Sequence, residues 1–185
     1  MTDSQTKKKP RIATVWLGGC SGCHMSFLDM DERLLELADR IELVYSPIAD
    51  VKKFPENVDV TLVEGALANN ENEEFARIIR RNSRFVVSFG DCAVTGNVTA
   101  MRNMYPTESV LHRSYVELAD VQPQIPRDYA TIAELMKRAQ PLHEQITVDA
   151  FIHGCPPSAD QIWFAMSELL EGRLPRFSNV YLRYG

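Results

Sequence analysis

Four cysteines are the residues of this 185-residue chain best suited to chemistry. Cys20 and Cys23 form a Cys-x-x-Cys pair, while Cys92 and Cys155 arrive singly from far along the chain. A thiolate is a nucleophile, a redox group and a soft metal ligand. Four of them match the ligand number of a 4Fe–4S cluster, and equally that of structural zinc. Gly18, Gly19, Gly22, Gly90 and Gly154 lie close by. Residues without a Cβ let backbone amides approach an inorganic core, where they can donate to sulfur and tune its potential. Pro156-Pro157 stiffens the chain directly after Cys155.

The elements that must position these residues alternate between strand and helix. Arg11–Leu17 reads as a first buried strand, ended by Gly18-Gly19. A helix is predicted over 25–38, with Leu28, Leu34, Leu35 and Leu37 available to its inner face. Further strands are predicted over 41–45, 58–63, 85–89 and 148–152, with helices over 71–81, 131–140 and 158–171, the last N-capped by Ser158. Such alternation gives a parallel sheet covered on both faces. Five strands make an α/β fold, a single doubly wound flavodoxin-like domain. Residues 1–10 read as a tail and 11–185 as the domain. Residues 97–130 resist this scheme. They hold Met101, Met104, Tyr105, Pro106, Tyr115, Pro123, Pro126 and Tyr129 without clean periodicity, and so long a stretch points to a functional or partner-bound segment.

On this map the cysteines are ordered. Cys20 and Cys23 follow the first strand, Cys92 the fourth and Cys155 the fifth. In a parallel sheet these positions share the carboxyl edge, where open α/β folds place ligands. Three loops therefore deliver thiols to one place. Zinc competes with the cluster, but structural zinc in short domains takes two paired knuckles and only one pair is close here. A redox dithiol at Cys20 and Cys23 leaves Cys92 and Cys155 unexplained. A flavin phosphate cradled by Leu17-Gly-Gly-Cys-Ser-Gly22 rests on that run alone.

Composition bounds the remaining classes. Hydrophobic residues make up 45% and charged residues 24%, an ordinary globular balance. A chain this long buries roughly 70% of its unfolded surface, so it has a core without a metal staple. The net charge of −5, from 20 basic and 25 acidic residues, is no footprint for nucleic acid. Lys7–Lys9 are not followed by a long apolar run, which argues against a signal peptide, and no segment approaches a membrane span. The expected compartment is the cytoplasm, where four cysteines point to metal or catalysis rather than disulfides.

At these same residues the sequence resembles the small subunit of nickel–iron hydrogenases and its relative in respiratory complex I. The matching pieces are Trp16-Leu-Gly-Gly-Cys-Ser-Gly-Cys-His-Met-Ser26, Val63-Glu-Gly65, Gly90-Asp-Cys-Ala93 with Gly96, and Gly154-Cys-Pro-Pro157. The resemblance implies one 4Fe–4S cluster held by Cys20, Cys23, Cys92 and Cys155. It places the Ni–Fe centre on a large partner subunit. Complex I relatives have two adjacent cysteines in the first motif, whereas Ser21-Gly22 separates the pair here. Length and cysteine content are most similar to the compact small subunit of NAD-reducing hydrogenases, with no cysteine to spare for a second cluster. The implied function is an oxidoreductase subunit passing electrons from H2 oxidation towards a flavin diaphorase that reduces NAD+. Flavin and NAD would then belong to partner subunits. The alternatives are a complex I-like quinone-linked subunit and a stand-alone zinc or flavin module.

His24 stands where many hydrogenases have a glutamate associated with proton transfer. His24 and Glu64 are therefore candidates for a proton relay, with a hydrogen bond beside the cluster as the simpler role for His24. His112, His143 and His153 show no ligand spacing, although His153 lies two residues before Cys155. The 97–130 segment, rich in aromatic and Met residues, is expected to face the large subunit or the diaphorase.

Overall fold

The computed structural model describes residues 8–128, 130–178 and 181. Residues 1–7 of the expected tail, and residues 129, 179–180 and 182–185 of the expected domain, lie outside the described residues. The strands are β1 (Arg11–Trp16), β2 (Glu42–Tyr45), β3 (Val58–Glu64), β4 (Leu67–Asn69), β5 (Ser83–Phe89), β6 (Leu135–Gln140) and β7 (Ala150–Ile152). The helices are α1 (Gly22–Leu28), α2 (Arg33–Arg40), α3 (Asn70–Asn82), α4 (Asp91–Thr95), α5 (Asn97–Ala100), α6 (Thr107–His112) and α7 (Ala159–Leu170).

Five strands form one sheet in the order β2-β1-β3-β5-β7, with every neighbouring pair parallel. The fold is α/β with a mainly parallel five-stranded sheet, as the alternation of elements predicts. β3 and β5 are buried along nearly their whole length because both faces are covered, which is why they read as continuous apolar runs. Successive side chains divide between two cores. Ile12, Leu62, Val87, Phe89 and Ile152 pack with Ile162 and Met166 of α7. Val15, Val63 and Val86 pack with Ala76 and Ile79 of α3. The chain grows the sheet from β1 to β2, then returns across β1 to β3 and continues outward. That reversal opens a crevice beyond the carboxyl ends of β1 and β3.

Three expectations need correction. The helix over 25–38 is two helices: α1 ends at Leu28, Asp31 adopts a positive φ of 51°, and α2 begins at Arg33. Met30, in the turn between them, and Leu37 of α2 are both buried in the core. The helix over 131–140 is instead strand β6, paired antiparallel with β4 in a two-stranded ribbon. Its residues are good helix formers, but tertiary contacts override propensity. Arg102 Nη2 donates to Met136 O at 2.9 Å, and Asn103 exchanges two hydrogen bonds of 2.8 Å with the Ala139 backbone. The 97–130 segment is not structureless at its start. It holds α5, a 3-10 turn over Met101–Met104, α6 and a π-helical turn over Arg113–Glu117.

Candidate functional site

The four thiols stand at the carboxyl edge of the sheet, each carried by its own short structure. Cys20 lies in the loop after β1, and Cys23 in the first turn of α1. Cys92 is in α4, directly after β5, and Cys155 follows β7. Cys20 and Cys155 are exposed, whereas Cys23 and Cys92 are buried. All four are free thiols.

Their convergence is visible in the electrostatics. Burial pushes the Cys23 thiol far up, and the charges of Glu64, Cys92, Cys20 and Cys155 push it in the same direction. Burial also raises Cys92, with Cys155 and Cys20 adding to the rise, while the Thr99 hydroxyl and the Val98 backbone N–H oppose it. Cys23 and Cys92 thus lie near enough to the other thiols to be disfavoured as thiolates, and a cation placed among them would favour the thiolate form. A lone ion would need its ligands about 2.3 Å from one point. Among the described residues no three His, Cys, Asp or Glu side chains are grouped so tightly.

A ring of hydrogen bonds ties the loops together. Glu64, only 1% exposed, ends β3, and its carboxylate accepts from Cys23 N at 3.4 Å and His24 N at 3.0 Å. His24 Nδ1 donates to the same carboxylate. This anchors the start of α1 to the sheet. Ser26 Oγ donates to Pro157 O at 2.5 Å, joining α1 to the Cys155 loop. Gly154 N donates to Asp91 Oδ1 at 2.8 Å and Asp91 N to Gly154 O at 2.9 Å, which fixes Cys92 relative to Cys155. Thr99 Oγ1 donates to Gly18 O at 3.0 Å, joining α5 to the Cys20 loop.

Glycine is required at one of these joints above all. Gly90 has φ 82°, and a Cβ there would collide with Cys23 Sγ. Only a residue without a side chain lets α4 begin against α1. Gly22, whose N–H lies 3.4 Å from Cys20 Sγ, gives Cys20 a backbone donor.

The structure thus brings Cys20, Cys23, Cys92, Cys155, His24 and Glu64 to one edge. His24 is more enclosed than its sequence context indicates: Nδ1 is taken by Glu64, and Nε2 is buried without a hydrogen-bond partner. His112 pairs with Glu117 on the surface, and His143 packs edge-on to Phe151, both outside this ring. Sequence reasoning missed Ser26, Asp91, Asn97 and Thr99. Ser26 and Asp91 sit inside the matching motifs, but a polar residue's partner across 63 or 131 positions is invisible in a linear reading.

Comparison with known proteins agrees with this architecture. Residues 20–169 match the family described as NADH ubiquinone oxidoreductase, 20 Kd subunit. The chain is 38% identical over 179 residues to the NAD-reducing hydrogenase HoxS subunit delta of Cupriavidus necator, covering 94% of this chain and 86% of that one. It is 36% identical over 170 residues to a subunit of the F420-non-reducing hydrogenase of Methanothermobacter marburgensis, covering 89% of this chain but only 54% of that longer relative. In fold it superposes on a chain of a crystal structure of an NAD+-reducing [NiFe]-hydrogenase in the H2-reduced state. The TM-score is 0.91 and the identity 40%, over 96% of this chain and 100% of that one. With its thiol-bearing edge and this match along most of its length, the chain belongs to the NADH ubiquinone oxidoreductase 20 Kd subunit family, close to hydrogenase subunits.

Proposed function

We propose that this chain is the electron-transfer small subunit of an NAD-reducing nickel–iron hydrogenase, holding one 4Fe–4S cluster through Cys20, Cys23, Cys92 and Cys155. The observation that carries the proposal is the meeting of four free thiols from three separate strand ends on one edge. The donor set suits the group: four soft thiols from three strand ends, and a glycine at Gly90 that leaves room for Cys23 Sγ. When bound, such a cluster takes up and releases single electrons.

The chain's own residues hold and shield that group. Cys23 and Cys92 are buried, which keeps water from two of the four sulfurs, while Cys20 and Cys155 face outward. Glu64 fixes the turn that carries Cys23, and Asp91 fixes the separation of Cys92 from Cys155. In this reading the Ni–Fe centre lies on a large partner subunit, and flavin and NAD lie on diaphorase partners. A partner also accounts for the exposed apolar residues beside the thiol loops. Met101 and Met104, on the turn that follows α5, are 61% and 72% exposed, and Trp16 and Met25 flank Cys20 and Cys23 in sequence. Such residues are enriched in interface cores. The exposed outer face therefore fits docking by the large subunit or the diaphorase.

The test is Cys92→Ala in the assembled complex. H2-dependent NAD+ reduction falls to background, NADH-driven dye reduction by the diaphorase persists, and the complex loses the iron and acid-labile sulfide of one cluster. Survival of H2-dependent activity, or zinc without sulfide at this site, overturns the proposal. The complex I-like alternative draws on the family's description. Against it, Ser21-Gly22 separates the first two thiols, and the superposition at a TM-score of 0.91 is on a hydrogenase chain.

A further inference from the structure

The segment directly after α4 approaches the thiols in a way that the ligand set alone does not require. Gly96 has φ 84° and Asn97 follows at φ 35°. This is left-handed backbone, which side-chain-bearing residues rarely adopt and asparagine tolerates better than most. From that conformation Asn97 Nδ2 donates to Cys155 Sγ at 3.2 Å. Two residues later Thr99 ties the same segment to Gly18 in the Cys20 loop. A Cβ on Gly96 would meet Ala100 Cβ at 2.8 Å, so the tight turn that aims Asn97 depends on glycine before it. A strained residue whose side chain reaches a functional atom is informative, because strain persists only where the surroundings hold it.

We propose that Asn97 is a positioning residue for the Cys155 sulfur and, through that sulfur, raises the reduction potential of the bound cluster. The inference rests on the cluster reading proposed for this edge. Reduction adds one negative charge, much of which resides on sulfur. An N–H aimed at a ligand sulfur stabilises the more negative state and makes the electron easier to accept. Cys155 is one of the two exposed thiols, so its charge is open to both water and a directed donor. The side-chain amide supplies the donor at a fixed place.

The assembled hydrogenase complex with Asn97→Gly or Asn97→Asp tests this. Glycine keeps the left-handed turn and removes the donor. Aspartate tolerates the same backbone and, as a carboxylate, only accepts. The signal of this chain's cluster is identified by its absence from Cys92→Ala, and its midpoint is read by redox titration followed by electron paramagnetic resonance. Iron and acid-labile sulfide are measured alongside. The expected result is unchanged iron, a midpoint shifted to lower potential in the glycine variant, and a larger downward shift in the aspartate variant. A glycine-variant midpoint equal to that of wild type overturns the inference and leaves the cluster reading standing. So does a loss of iron in which the remaining loaded fraction titrates like wild type, since Asn97 would then only close its loop. Wild-type complex with no more iron or sulfide than Cys92→Ala sinks the cluster reading, and this inference with it.

Discussion

At the scale of single residues, the site depends on two positions that hold no ligand in any reading. Glu64 is buried and receives three donors, from Cys23 N, His24 N and His24 Nδ1. Truncation leaves all three without an acceptor in a buried place. Glu64→Ala should therefore destabilise the fold by about 2–4 kcal/mol in urea unfolding of the full-length protein, since each stranded donor costs about 1–3 kcal/mol before relaxation. Glu64→Gln, which retains an acceptor oxygen, should cost less. Gly90 is the second position. Ala there must adopt φ near 82° and place its Cβ into Cys23 Sγ. The backbone strain alone is about 1–3 kcal/mol. Gly90→Ala should lower the unfolding midpoint and reduce the iron retained by the purified complex. Full iron and wild-type stability in this variant would mean that α1 and α4 part freely. Glu64 was readable as a strand-end carboxylate, but its three donors were not.

At the scale of elements, the sheet edge that carries Cys155 is short. β7 has three residues and, among the described residues, pairs only with β5. Its position is reinforced from outside by Arg80 of α3. The guanidinium donates to Asp149 Oδ2 at 2.5 Å, to Thr147 O at 3.1 Å, and to Ser83 O and Arg84 O at 2.6 and 2.9 Å. Asp149 Oδ2 also accepts from Val86 N of β5 at 2.7 Å. Arg80→Met keeps the length of the stem and removes every donor. It should cost about 1.5–3 kcal/mol, the range for hydrogen bonds to charged groups, measured by chemical unfolding. An unchanged stability would show that strand pairing alone holds β7. The same scale explains where sequence patterns failed. Strands β1, β3 and β5 and helix α3 were legible because burial on both faces, or on one helical face, writes a clear period. The final helix was legible from its cap, and Ser158 and Gln161 do form a reciprocal capping box. β6 was not legible, because its strand state depends on β4, Arg102 and Asn103, none of which is near it in sequence.

At the scale of the whole molecule, the thiol-bearing edge is unfinished as a surface. Among the described residues Val98, Met101, Met104 and Tyr105 form an exposed apolar run directly after the Asn97 turn. No helix of the described residues is long and apolar enough to cross a membrane. In the proposed function this run is a docking face for a protein partner. Met101→Gln with Met104→Gln should leave stability within about 0.5 kcal/mol, as exposed substitutions usually do, yet reduce co-purification of the large subunit or the diaphorase. Undiminished co-purification of both would move the interface away from this face.

By itself the sequence determined the α/β class, the five strands of the main sheet and the placement of all four cysteines at strand carboxyl ends. Those features are local: an apolar run, a glycine that ends it and a thiol that follows. Only the tertiary structure decided which side chains lock the loops, because Glu64 with Cys23, Asp91 with Gly154 and Asn97 with Cys155 are bonds across 41, 63 and 58 positions. Such pairs leave no period in the chain. They arise when parallel strands bring distant carboxyl ends to one edge and buried polar atoms there must find partners.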